Sequence, residues 1–155
     1  MREFLSEAKE ELKRVDHIIY VSLKYTRTVD IIRNALKRLV SAFDFIIEAL
    51  LEYAKQNKKI KTTPRSPRLK SELVKEAYEG DEKIMWYMNF YIFLRDVLKA
   101  KYTKREEYRR HVTMIAELWN MTAEVNIDNL EDCFDKIAGE FLDHTETIMG
   151  FKEEE

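Results

Sequence analysis

Apolar residues recur along most of this chain at steps of three and four. Leu5, Ala8, Leu12, Val15 and Ile19 form one stripe and predict a first helix over roughly residues 2–24. Val29, Ile32, Leu36, Leu39, Phe43, Ile46, Leu50 and Ala54 keep a near-heptad spacing. They predict a long second helix, capped by Thr28, with Asp30 in its first turn, ending near Asn57. Asn34, Lys37, Ser41, Asp44, Glu48 and Glu52 lie on its other side and read as a solvated face. Ser66 and Pro67 suit the N-cap and first position of a short third helix, and Gly80 suits its end. Asp81 then caps a fourth.

The centre of that fourth helix, IMWYMNFYIFL, is apolar on every side except at Asn89. A helix of this kind is either central in the core or shared with a partner. With so few helices to surround it, the pattern predicts a homodimer, with Trp86 and Phe90 at the interface. A fifth helix is predicted from about Thr103 to Ala123. A sixth runs from about Asn126–Asp128 to before Gly150, with Leu130, Phe134, Ile137, Phe141 and Ile148 as its stripe. No β-strand is predicted. The expected fold is therefore all-α: an antiparallel helical bundle of five to six helices, with the first, second, fifth and sixth as its frame. Residues 1–150 form one domain, and 151–155 a frayed acidic tail.

Composition sharpens this picture. In 155 residues there are only three glycines and two prolines, too few breakers for a many-turned β fold. Apolar residues make up 45%, enough for a real core. Cys133 is the single cysteine, which excludes a disulfide framework and predicts a reducing, cytoplasmic setting. The charged N-terminus MREFLSEAKEELKR does not read as a signal peptide. No apolar run is long enough to span a membrane. Abundant Glu, Lys and Arg with a single glutamine, Gln56, match thermophile composition.

Charge is unevenly spread. Residues 111–155 hold two lysines against twelve acids, and residues 1–110 hold 25 cations against 17 acids. Seven cations and no acid fall between Lys55 and Lys70, and six more fall in KAKYTKREEYRRH, residues 99–111. Lys58, Lys59, Lys61, Arg65, Arg68, Lys101, Lys104, Arg109 and Arg110 are thus candidates to bind nucleic acid, with Tyr102 and Tyr108 available to stack on bases. That requires the two basic segments to share one side of the protein. The alternative is that these cations pair with the acidic last helix.

The same stretch offers chemistry. Arg105 and His111 suit a ribonuclease, His111 moving a proton and Arg105 stabilising a charged phosphorane, with no cofactor. On one helix their side chains would diverge by about 120°. The alternative is a half-buried packing histidine over Met114, Ile115 and Leu118. No metal site is predicted. Glu107/His111 and Glu140/His144 are i, i+4 pairs, but the paired Glu-x-x-His signature of di-iron bundles is absent. Nor is there a glycine-rich phosphate loop or a Ser/His/Asp pattern.

The segment TRTVDIIRNALKRLVSAFDFIIEALLEYA, followed by a Lys-rich loop, a short helix and EEYRRHVTMIAELW, resembles the HEPN superfamily. That resemblance implies a small antiparallel helical bundle, commonly dimeric, often paired with a separate nucleotidyltransferase. It also implies metal-independent cleavage of RNA by an Arg-x4–6-His motif at the dimer interface, matched here by Arg105 and His111. Glu106 departs from the small polar residue that commonly follows the motif's arginine. The phrases DHIIYVSLKYTRTVD and EYRRHVTM also resemble a family of archaeal helical proteins.

Overall fold

A computed structural model describes residues 1–152. Helix α1 (Arg2–His17) passes through a π-helical turn (Ile18–Ser22) into the short α2 (Leu23–Tyr25). The rod buries Leu5, Ala8, Leu12, Val15, Ile18, Ile19 and Leu23. Helix α3 (Val29–Gln56) is the centre of the molecule, with half of its 28 residues buried. It packs against α1, α4 (Pro67–Ala77), α5 (Glu82–Lys99) and α7 (Gly139–Ile148). Each predicted cap is in place. The Thr28, Ser66 and Asp81 side chains accept the backbone N–H of Ile31, Leu69 and Ile84, at 3.3, 3.4 and 3.1 Å. Gly80 takes φ +93, which its lack of a Cβ permits.

The all-α expectation is overturned between residues 101 and 125. Here the chain forms a three-stranded antiparallel sheet, β1 (Lys101–Arg105), β2 (Thr113–Glu117) and β3 (Thr122–Val125), in that order. Lys101 pairs with Glu117 and Arg105 with Thr113; Met114 pairs with Val125 and Glu117 with Thr122. The physical reason lies in the period of burial. Met114 and Ala116 are buried from β2, with Val112 just before it, and Ala123 and Val125 from β3, while Glu117, Thr122 and Glu124 face outward; Thr113 is also buried, its hydroxyl bonded to the His111 carbonyl at 2.8 Å. That alternation has a period of two, and the β-branched Val112, Thr113, Ile115, Thr122 and Val125 suit it. Glu106 and Tyr108 at φ +55 and +69 also break any helix through this stretch. The β2–β3 hairpin is tight, with the Leu118 N–H donating to the Met121 carbonyl at 2.8 Å. The outer strand β1 is cationic and exposed, which discourages edge-to-edge association.

Helix α6 (Ile127–Asp132), capped by Asn126, continues through a second π-helical turn (Cys133–Ala138) into α7. The extra residue of that turn rotates the predicted stripe. Leu130 and Phe141 are buried as expected, but Phe134 and Ile137 are half-buried, and Ala138 and Leu142 take core positions. The expected frayed tail is ordered at its start: the Arg2 guanidinium lies 3.9 Å over the Phe151 ring, and Lys152 pairs with Asp143 at 2.6 Å. The rest of that tail, residues 153–155, lies outside the described residues. Among the described residues no helix is long and apolar enough to cross a membrane.

Helix α5 runs antiparallel to α3, with the Tyr91 hydroxyl donating to Asp44 and the Arg33 guanidinium to the Leu98 carbonyl at 3.2 Å. Burial raises the Asp44 carboxyl above its ordinary value of 3.8, against the Tyr91 hydrogen bond and the nearby Arg95, which lower it. The native state therefore holds this proton more tightly than the unfolded chain. Stability is lost as pH rises from the ordinary value through the raised one. Asp44→Asn keeps an acceptor for Tyr91 and removes the charge. It is expected to melt above the wild type at pH 7, and the difference should close below about pH 4; parallel thermal melts check this.

A candidate RNA-binding cleft

The β1–β2 turn closes against the beginning of α3. The Tyr108 N–H donates to the Arg27 carbonyl at 2.6 Å, and the Glu107 carboxylate accepts the Val29 N–H at 3.0 Å. Glu107 thus serves as a second cap on α3, supplied from elsewhere in the chain. Lys104 sits between Asp30 at 3.6 Å and Glu107 at 3.5 Å. Asp30 first, and then Glu107, hold its ammonium above the usual lysine range.

This closure builds a cleft of about 400 Å³ between the first π turn, the β1–β2 turn and the start of α6. Arg105 and His111 both line it. On a helix they would diverge; here Arg105 ends β1 and His111 lies in the turn that returns to β2, so one opening receives both. Lys24, Arg27 and Arg110 join them, and Glu106, Asp128 and Glu131 line it too. His111 is exposed, so it is not the packing histidine of the alternative reading. The Arg105 guanidinium pairs with Glu124 on β3 at 2.7 Å. The Nε of Arg27 is buried without a hydrogen-bond partner. Tyr20, set by the π turn, donates to Asp135 in the second π turn at 3.3 Å. Desolvation, with Asp135 and Glu131, raises its phenol above the usual range.

The start of the first basic segment lies far from the second, and only its end, at Arg68, comes near it. Lys58 and Lys59 leave the C-terminal end of α3, where the Lys59 N–H bonds the Ala54 carbonyl at 2.9 Å. Lys104 and Tyr108 sit at its N-terminal end. A helix of that length separates its ends by about 42 Å. Lys61 and Arg65 are exposed in the intervening loop, and Arg68 pairs with Asp96 at 3.7 Å. Lys101 and Arg109 are exposed near the sheet. Tyr102 is not free to stack, because the Arg33 guanidinium covers its ring at 4.4 Å. Tyr108 is 77% exposed and Tyr25 85% exposed. Sequence reasoning missed Lys24, Tyr25 and Arg27. Their types were visible in LKYTRT, but only tertiary closure brings Lys24 and Arg27 to Arg105.

Comparison with protein-family models, with curated proteins and with solved structures finds no match. Among the described residues no group of three His, Cys, Asp or Glu side chains is arranged to hold a metal ion. Burial, and then Asp132, push the Cys133 thiol up to about 11, so it stays protonated and unreactive at neutral pH.

A second, wider cleft of about 1020 Å³ lies between α5, the second π turn and α7, lined by Trp86, Lys136, Glu140 and His144 among others. His144 Nε2 lies 2.8 Å from Asp81, tying α7 to the cap of α5. Trp86, 52% exposed, stacks on Phe90 with ring centres 5.3 Å apart.

Proposed function

We propose that this chain binds single-stranded RNA, and that its cleft carries the two side chains needed to cut a phosphodiester without a metal. The observation that carries this reading is the shared cleft of Arg105 and His111, with Lys24, Arg27 and Arg110 around them. In such a cleavage the ribose 2′-oxygen attacks phosphorus and the bond to the 5′-oxygen breaks, leaving a 2′,3′-cyclic phosphate. His111 takes the 2′-hydroxyl proton while water protonates the leaving 5′-oxygen, or His111 gives its proton to that oxygen while water takes the one from the 2′-hydroxyl. Arg105 faces the negative charge that builds on the phosphorane, exchanging its bond to Glu124 for the phosphate oxygens. The exposed rings of Tyr25, next in sequence to Lys24, and Tyr108, whose N–H meets Arg27, offer stacking surfaces.

The test is incubation of end-labelled RNA with the protein in chelator. The wild type is expected to give 2′,3′-cyclic ends, while His111→Ala retains RNA but leaves it whole. Binding without cleavage by the wild type would favour a non-catalytic module. No retention of RNA at low salt would overturn the reading altogether.

A second reading has its own observation, the exposed Trp86 stacked on the half-buried Phe90. An apolar ring pair of this kind suits a homodimer contact or the docking of a separate nucleotidyltransferase. On this reading the wild type sediments as a dimer at about tens of micromolar, and Trp86→Lys as a folded monomer. Sedimentation of the wild type as monomer alone would end the dimer version.

A further inference from the structure

The Arg105–His111 cleft is lined by charges of both signs. Just outside it Lys104 pairs with Asp30 and Glu107, and Arg105 itself pairs with Glu124. The other charges of the cleft stay apart. Among the described residues no ion pair or side-chain hydrogen bond engages Lys24, Arg27, Arg110, Asp128 or Glu131, although all five line one space of about 400 Å³. Asp128 and Glu131 stand three apart on the first turns of α6 and so share a face. A ligand that fits between these groups presents an anion to the cations and hydrogen-bond donors to the carboxylates. One nucleotide unit has that polarity, and the space suits one.

A carboxylate accepts hydrogen bonds and donates none. The donor-rich edges among the bases are those with an exocyclic amine: cytosine at N4, adenine at N6, guanine at N2. Uracil instead presents carbonyl oxygens on both sides of its single N–H, and these repel a carboxylate. We infer that the base held in this cleft carries an exocyclic amine, and that Asp128 and Glu131 are the residues that select it over uracil. This rests on the RNA-binding reading above.

The experiment is fluorescence anisotropy with labelled, uncleavable 2′-fluoro oligonucleotides of U, C and A, about eight nucleotides long, at about 50 mM salt. The C and A strands are expected to bind about tenfold tighter than U. In Asp128→Asn/Glu131→Gln every strand gains affinity from the lost repulsion, but the ratio of C to U falls to within about twofold. The single variant Asp128→Asn, on an exposed side chain, should reduce the ratio partway; its thermal melt establishes that it is folded. Equal binding of all three strands by the wild type overturns this inference and leaves the RNA-binding reading standing. Binding of none overturns both.

Discussion

Phe43→Ala is expected to lower stability by about 3–5 kcal/mol, the largest effect of any single truncation in this core. Phe43 is fully buried at the middle of α3. Its ring lies 6.2 Å from Phe90, 6.1 Å from Tyr91 and 5.0 Å from Phe141, centre to centre, so it joins three helices at one point. Tyr91 is anchored to Asp44 and Tyr87 stacks on Phe141, so the surroundings have little freedom to collapse into the space left behind. The melting temperature should fall on the order of 10 °C. A loss under about 1 kcal/mol would show that the helices meet elsewhere.

Reversing charge at the cleft is expected to act on binding and spare the fold. Lys24 and Arg110 are exposed, line the cleft and engage no ion pair among the described residues. Lys24→Glu with Arg110→Glu should weaken RNA binding by at least about tenfold at low salt. It should also flatten the salt dependence by about 0.7 log units for each phosphate that is no longer neutralised. Melting should change little, because neither side chain packs in the core. Lys58→Glu with Lys59→Glu, at the far end of α3, is the informative control and should leave binding at the cleft near the wild-type value. Equal losses in both double variants would mean that binding follows overall charge and not the cleft.

The helices were legible because their signals are local. Thr28, the Ser66–Pro67 pair, Gly80 and Asp81 each act within one turn of where they stand, and the apolar stripe of α3 repeats often enough to be unambiguous. The sheet was not legible because its strands span only four or five residues. Over so short a stretch, Met114, Ile115 and Leu118 fit a helical face as well as Met114 and Ala116 fit a pleat. The turn that decides between them bends at Glu106 and Tyr108, neither of which announces a left-handed backbone as glycine or asparagine would. The candidate residues Arg105 and His111 were visible. The cleft they share was not, because its other wall comes from Lys24 and Arg27 at one end of the chain and from Asp128 and Glu131 at the other.

The π turn at Ile18–Ser22 has a consequence for how this protein could vary. Such a turn holds one residue more than the α-helix it interrupts. A chain shorter by that one residue would reach Leu23 with its inward stripe still in line, while Tyr20 would swing out of the opening it now borders. At this point a deletion, normally the harshest of changes within a helix, separates the architecture from the cleft: one codon fewer leaves the scaffold and removes a wall of the opening.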